Sequence, residues 1–343
     1  MKVLFIAPYR ESTGWGEASR RILLEILEQI PTSVSRCIKL GTNSVTLPNE
    51  IIEAEQKTLD GVTHVIQCCL PHHMEYFPGV VNIGMPFIDS YSLSQPFWIE
   101  KLKTMDKLWL FQKLFEFPKA TLVSVAHKKI DFEIPNIQIG PQGIYRFYFI
   151  GEFNRRKNIA GLIETYLATF YADEPVELVL KLNKYGISPQ QLAQEVNQLI
   201  DTIKYNLRLN YYPRIQIITE YLSEPQLFAL HKSCDCFVTM SFGEAWCLPA
   251  QDAILMGKSV IGSQHNSFDE KYCDGYYKYR NYPTGIHDTF PGLMNGRDLW
   301  FEIPNQQFGE HMRSVFDGST IKEPASMLYY FNNYKDLLNE SSL

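Results

Sequence analysis

The sequence predicts an α/β protein of two doubly wound domains, and three observations carry that expectation. Strand-like apolar runs alternate with helix-period segments along most of the 343 residues. The first run, Lys2 to Ala7, is almost continuously apolar, as a parallel strand covered on both faces must be. The succession of strand, glycine loop and amphipathic helix occurs twice, once from the amino terminus and again from Tyr145. At roughly 150 residues per domain the length also suits two domains.

In the first half, the loop Glu11 to Trp15, with Gly14 and Gly16, follows the opening strand. A helix comes next, because Ala18, Ile22, Leu23, Ile26, Leu27 and Ile30 recur at helical spacing. Val62–Leu70, Val80–Ile83, Lys107–Phe111 and Thr121–Ala126 read as further strands, with helices between them. Asp131 to Gly143 has no clear period and carries Pro135, Gly140, Pro141 and Gly143, so it reads as the linker.

The second half restarts with the strand Tyr145–Ile150, the loop Gly151–Asn158 and a helix through Ile159, Leu162, Ile163, Tyr166, Leu167 and Phe170. Glu177–Leu182, Arg214–Thr219, Cys236–Met240 and Ser259–Gly262 read as strands. Ser188-Pro189-Gln190-Gln191 and Ser223-Glu224-Pro225-Gln226 are helix starts, with serine at the cap and glutamine three positions on. Pro249–Met256 is a short helix stopped by Gly257. The expected domains are 1–135 and 136–322, with a terminal helix within 323–343 that packs back on the first domain.

Composition narrows the function classes. The net charge of -6 implies no general affinity for nucleic acid or anionic membrane. The start reads as a strand and not a signal peptide, and no apolar run reaches the ~18 residues of a membrane helix. The seven cysteines, Cys37, Cys68, Cys69, Cys234, Cys236, Cys247 and Cys273, are odd in number and several fall in apolar runs. Reduced thiols in a cytoplasmic protein fit that usage, and no metal site is expected.

The stretch that carries chemistry is Ser241-Phe242-Gly243-Glu244-Ala245-Trp246-Cys247-Leu248-Pro249-Ala250-Gln251-Asp252-Ala253. A strand ends in a small-residue loop, and a helix begins whose free N–H groups favour an anion. Glu244 lies before that helix and Asp252 in its first turn, so both acids can face a crevice at the carboxyl ends of the strands.

This stretch resembles the Glu-x7-Glu signature of retaining glycosyltransferases of the GT-B fold, of the family 4 (group 1) type, whose usual form is E-G-F-G-L-P-x-x-E-A. Glu244, Leu248, Pro249, Ala253, Gly257 and Lys258 are in register, and Trp246 stands for the aromatic residue. Ala245 and Cys247 replace the two glycines, and Asp252 replaces the second glutamate. The segment Phe149 to Asn158 resembles the family's strand-G-R-x-x-x-x-K-G segment: Lys157 is in register, Glu152 takes the usual arginine position, and Arg155 or Arg156 supplies the missing charge. The loop with Gly14 and Gly16 is similar to the family's first glycine loop, although a tight turn alone accounts for it equally well.

The resemblance implies a GT-B protein of two Rossmann-like domains facing a central cleft. It implies sugar transfer with retention from a UDP- or GDP-linked sugar, without a required cofactor or metal. Lys157, Arg155, Arg156 and the amides near Leu248 would hold the diphosphate, Glu244 the sugar hydroxyls and Asp252 the ribose. Tyr221 and Leu222 would lie by the base. His72, in Pro71-His72-His73, is a candidate against the donor sugar; Asp89 and His127 are weaker ones. Lys181, in an apolar strand, turns either to the phosphates or to water at the strand end. Trp15, Tyr76, Phe77, Phe87, Tyr91, Phe97 and Trp98 either stack on an acceptor or fill the core. The acceptor is open: glycan, lipid-linked glycan, protein or modified nucleic-acid base. Two rivals stand beside this reading. One is a non-catalytic nucleotide-sugar binder of the same fold. The other is a nicotinamide dehydrogenase, whose fingerprint is incomplete here because no early third glycine follows Gly14 and Gly16 in the run to Arg20.

Overall fold

The structure, a computed structural model, describes residues 1–41, 45–90, 92–112, 114, 117–118, 120–262, 278–281, 297–318 and 333–339. Tyr91, Cys273 and the first part of the expected terminal helix, 323–332, lie outside the described residues. The chain forms two compact units, Met1–Lys128 with Leu328–Leu343, and Lys129–Met327.

In the first unit the elements are β1 (Val3–Ala7), α1 (Gly14–Gln29), β2 (Val34–Cys37), α2 (Asn49–Gln56), β3 (His64–Gln67), β4 (Val81–Gly84), α3 (Pro96–Lys103), β5 (Lys107–Leu110) and β6 (Thr121–Leu122). They build one sheet in the order β2-β1-β3-β4-β5-β6, all neighbours parallel. The apolar run of β1 is explained by this place, since it is flanked on both edges: Leu4 pairs with Val34 and with Val65. Leu4, Val34 and Val65 pack as one buried cluster, closed by Ile6, Val62, Phe77 and Val80.

Several elements differ from the sequence expectation. α1 begins at Gly14, not after Trp15, because Thr13 caps it by accepting the Gly16 N–H on Oγ1 at 3.2 Å. Gly14 and Gly16 are therefore in its first turn and not in a loop. Gly16 has no room for a side chain: a Cβ there would stand 2.0 Å from the Glu11 carbonyl oxygen, whereas one at Gly14 would meet nothing. β2 and α2 carry too short an apolar pattern to be read from sequence. The runs Val62–Leu70 and Thr121–Ala126 pair over only His64–Gln67 and Thr121–Leu122, and Val80–Ile83 shifts by one residue.

In the second unit the elements are β7 (Tyr145–Glu152), α4 (Ile159–Thr169), β8 (Val176–Asn183), α5 (Pro189–Leu207), β9 (Arg214–Ile218), α6 (Glu224–Ser233), β10 (Cys236–Val238), α7 (Leu248–Leu255), β11 (Ser259–Ile261), β12 (Lys278–Asn281), β13 (Leu299–Glu302) and α8 (Asn305–Phe316). The main sheet runs β11-β10-β7-β8-β9, all parallel. Its two faces are covered by different helices, as alternation along β7 shows. The Phe147 ring meets Phe170 at the end of α4, 5.4 Å between centroids, while the next residue, Tyr148, meets His231 of α6 at 5.4 Å. β12 and β13 form a separate antiparallel pair, and α8 packs on α4; neither was legible beforehand.

The chain then returns to the first unit, where α9 (Tyr334–Asn339) rests on α1. Tyr334 is wholly buried, donates to the Ser124 carbonyl at 3.1 Å and lies against Trp109, 5.8 Å between ring centroids.

Glu17 in the first turn of α1 is braced by Arg20 at 2.8 Å, Arg21 at 2.9 Å and Lys128 at 3.4 Å. Burial alone would raise its pKa, but Arg21, Lys128 and Arg20 outweigh that and bring it to about 2.

Two outcomes follow for stability. In urea denaturation followed by circular dichroism, Gly16→Ala should cost about 2 kcal/mol or more, through overpacking against backbone, while Gly14→Ala changes stability by less than about 1 kcal/mol. Glu17→Gln should lose on the order of 2 kcal/mol at pH 7. Because its folded pKa is depressed from 4.5, that deficit is full above about pH 4.5 and closes as the pH falls toward about 2.

Candidate functional site

In the second unit β7 is flanked by β8 on one edge and β10 on the other. The chain leaves β7 toward β8 and leaves β10 toward β11, in the opposite direction, so the loops after β7 and β10 diverge. Such a switch point opens a crevice at the carboxyl ends of the strands, where open α/β sheets take their ligands.

The loop after β7 is a short basic turn. β7 continues through Glu152, past the expected end of the strand, and Arg155–Lys157 then coil as a single 3-10 turn. Asn154 shapes that turn: its Oδ1 accepts the Lys157 N–H at 3.1 Å and its Nδ2 donates to Glu152 Oε2 at 3.0 Å. Asn158 reverses the chain in the left-handed region, φ 50°, and caps α4 through Oδ1 on the Gly161 N–H at 3.2 Å. Gly151, just before the turn, is the position where a Cβ would strike the Phe149 ring at 2.7 Å and approach the Lys157 stem at 3.8 Å.

The loop after β10 brings Glu244 to this turn. The Phe242 N–H donates to the Arg156 carbonyl at 2.8 Å, tying the two loops by backbone. Arg156 Nη1 donates to the Gly243 carbonyl at 2.6 Å and pairs with Glu244 Oε2 at 2.9 Å. Lys157 Nζ pairs with Glu244 Oε1. Glu244 is 4% exposed, so this is a buried acid shared by two cations. Burial alone would raise its pKa; the Lys157 and Arg156 charges, with hydrogen bonds from Lys157 and Ser241, outweigh it and hold the carboxyl below its ordinary value. Ser241 is itself held by Thr239, 3.0 Å between the hydroxyl oxygens.

α7 starts directly after this loop. Its cap residue, Cys247, makes no side-chain bond to the helix, and its carbonyl accepts from the Ala250 and Gln251 N–H groups, both at 3.1 Å. Leu248 is the first helical residue and is buried. Trp246 Nε1 donates to Gln251 Oε1 at 3.2 Å, which fixes the aromatic residue against the helix. Asp252 is the fifth residue of α7 and thus in its second turn, not its first. It is 8% exposed, and its charge is felt by Tyr148, whose phenol is pushed well above its ordinary range by burial first.

The structure therefore brings together Glu244, Arg156 and Lys157, next to the start of α7 at Leu248. Arg155 is in the same turn and exposed. Lys181 falls elsewhere. It pairs in register with Ile150 and Ile218, and so projects on the face of the sheet opposite to Gly151 and the Lys157 stem. It is buried, donates to the Leu182 carbonyl at 3.2 Å, and burial holds its pKa below the ordinary value against the pull of Glu220. Its neighbour is thus the loop after β9, where Tyr221 is 88% exposed and Leu222 half-buried.

The remaining candidates belong to the first unit, whose own switch point lies between β1 and β3. Gly14 and Gly16 follow β1, and His72 follows β3 in the 3-10 turn Pro71–His73. The His72 ring lies parallel to Trp98, 5.9 Å between centroids at 18°, and its buried Nδ1 has no hydrogen-bond partner among the described residues. Burial and the adjacent His73 hold its pKa below the ordinary value. Trp15, half-buried, stacks on Phe87 and Phe87 on Phe111, at 6.0 and 5.0 Å; Phe87, Phe111 and Trp98 are buried and fill the core, whereas Tyr76 and Phe97 are exposed. Asn154 and Ser241 are site residues that sequence reasoning missed. Neither has a motif of its own; the cap spacing of Asn154 to Lys157 is the one signal that precedes the structure.

Among the described residues no group of three or more His, Cys, Asp or Glu side chains is gathered to hold a metal ion, and no helix is long and apolar enough to cross a membrane. The described cysteines are free, and burial pushes the Cys234 and Cys247 thiols up to about 12.

No protein-family model and no curated protein matches the sequence. Solved structures match it by fold. OtsA, in an apo structure, aligns with a TM-score of 0.52 at 8% identity, over 77% of this chain and 84% of that one. A trehalose-6-phosphate synthase, studied with bisubstrate glycomimetics of glycosyltransfer with retention, aligns with a TM-score of 0.51 at 8% identity, over 99% of this chain and 94% of that one. The likeness is one of fold, and it places the chain's two Rossmann-like units in the GT-B class.

The ion-paired triad sets an expectation for stability. Lys157→Met should cost about 2–4 kcal/mol in urea denaturation at pH 7, because it removes one partner of a buried carboxylate. Since the Glu244 pKa is depressed when folded, that loss is full above the unfolded carboxyl value of 4.5 and shrinks as the pH falls and Glu244 takes its proton.

Proposed function

We propose that this protein is a glycosyltransferase that moves a sugar from a nucleoside diphosphate sugar, UDP- or GDP-linked, to an acceptor hydroxyl with retention at the anomeric carbon. The observation that carries the reading is the meeting of Glu244, Arg156 and Lys157 at the β7/β10 switch point, beside the first turn of α7. The resemblance to the Glu-x7-Glu family and the shared fold agree with it.

The chemistry asks for two things from such a site. As the bond from the anomeric carbon to the diphosphate lengthens, the sugar gains oxocarbenium character and negative charge grows on the leaving oxygen. Arg156, Lys157, the exposed Arg155 and the N–H groups near Leu248 supply fixed positive charge for that oxygen. Arginine offers two donors in one plane and lysine a compact charge, which together suit a diphosphate. The reading needs no metal ion, since these cations carry the charge that a metal would otherwise bring. Glu244 accepts hydrogen bonds from the sugar hydroxyls, and Asp252, one turn into α7, takes the ribose. Lys181, Tyr221 and Leu222, grouped by the end of β9, are assigned to the nucleoside side. Gly14 and Gly16 are assigned to the donor phosphates and the acceptor, and His72 to the donor sugar. The acceptor is a hydroxyl of a glycan, a lipid-linked glycan, a protein or a modified nucleic-acid base.

A thermal-shift series over nucleoside diphosphates and their sugars tests the donor class. One pair should stabilise the protein by about 2.7 kcal/mol at a hundred times its dissociation constant. With that donor, Glu244→Ala and Lys157→Ala should lower turnover at least ~100-fold, and NMR of the product should show the donor's anomeric configuration. Wild-type rates in both variants overturn the site assignment. Binding without any turnover of the sugar in the wild-type protein would instead make it a non-catalytic nucleotide-sugar binder.

A further inference from the structure

We propose that Glu244 is a built-in competitor for the donor's diphosphate, and that its displacement from Arg156 and Lys157 is what delivers the carboxylate to the donor sugar. This inference rests on the reading of the site given above, and names how that site selects a sugar-bearing nucleotide over the bare diphosphate.

Both carboxylate oxygens of Glu244 are engaged, Oε1 by Lys157 and Oε2 by Arg156. A carboxylate and a phosphoryl edge offer the same paired acceptors to these donors. The three side chains are 6%, 12% and 15% exposed, so the ion pairs are largely closed to water. Two cations and one acid leave the triad with a net charge of +1. A diphosphate that joined it while Glu244 stayed would set a second anion against a buried carboxylate. A diphosphate that takes Glu244's place instead meets both cations.

The scaffold holds the Arg156 side chain and the Lys157 backbone in position during that exchange. Arg156 is bound by its carbonyl to the Phe242 N–H and by Nη1 to the Gly243 carbonyl, and the Lys157 N–H is held by Asn154. None of these bonds involves the Glu244 side chain. The displaced carboxylate is a buried charge that needs new donors. Hydroxyls of the donor sugar are such donors; a bare nucleoside diphosphate lacks them, and its ribose is assigned to Asp252. The bare diphosphate therefore bears the whole cost of evicting Glu244, whereas the sugar-bearing donor recovers part of it. The same device helps the spent nucleotide leave, because Glu244 returns to the cations once the sugar is gone.

The test is calorimetric titration of wild-type protein and Glu244→Gln with inorganic pyrophosphate, UDP and GDP, and with the matching sugar nucleotides. The amide fills the same space without the charge. The variant should bind pyrophosphate and the preferred nucleoside diphosphate about tenfold more tightly than wild type, a change worth about 1.4 kcal/mol. The preference of wild type for the sugar nucleotide over the bare diphosphate should shrink in the variant. If wild type binds these diphosphates and the variant binds them equally or more weakly, the exchange is wrong while the donor site stands. If wild type binds none of them, the donor reading fails and this inference with it. A second measurement needs no variant. In wild-type protein labelled with 13C-glutamate, saturating pyrophosphate should shift a glutamate carboxylate band in the infrared difference spectrum. Bound pyrophosphate without such a band overturns the exchange.

Discussion

The second unit is organised around one buried carboxylate that two cations share. Glu244 belongs to the loop after β10, and Arg156 and Lys157 to the loop after β7. These loops leave neighbouring strands in opposite directions, so nothing in the local chain forces them together. The ion pairs and the backbone bond from Phe242 to Arg156 do so. A buried carboxylate without its partners costs several kcal/mol, which makes the triad as much a constraint on the fold as a feature of the site. The start of α7 is placed by the same contact, because only Ala245, Trp246 and Cys247 separate Glu244 from the first turn of the helix.

The rest of the unit serves that contact from beneath. β7 and β8 pair over their full eight residues, from Tyr145 with Val176 to Glu152 with Asn183, and form a rigid floor. Arg146 and Glu177 close the amino end of that floor with a buried ion pair of 3.1 Å, and Asp235 receives the Arg146 N–H at 2.7 Å, which sets β10 beside β7. With the amino ends fixed, the carboxyl ends present their loops at a set spacing. Catalytic groups carried on loops gain precision from such a scaffold.

The first unit repeats the logic with different means. Its order places the switch point between β1 and β3, and the turn after β1 is compacted until Gly16 lies against the Glu11 carbonyl. Glu17, Arg20, Arg21 and Lys128 clamp the start of α1, and Arg20 also reaches the carbonyls of Tyr9 and Glu11 at 2.8 and 3.0 Å. The glycines that read as part of a loop are thus parts of a capped and charge-braced helix start.

By itself the sequence determined the repeated strand–helix rhythm, the buried parallel strands, the capping boxes at Ser188 and Ser223, and the identity of the acids and bases around Glu244 and Lys157. Those are properties of neighbours along the chain: hydrophobic period, cap spacing and motif register act within a few residues. Tertiary structure alone decided which strands lie side by side, and through that the fate of each charge. It set Lys157 on Glu244 across an 87-residue separation, with Arg156 beside it. It turned Lys181 to the opposite face, moved Gly14 and Gly16 into a helix, and buried Phe87, Phe111 and Trp98 while leaving Tyr76 and Phe97 exposed. The physical reason is the same in each case. A side chain's direction follows from strand parity and packing partners, and its charge state from what is buried beside it, and neither is written in local spacing.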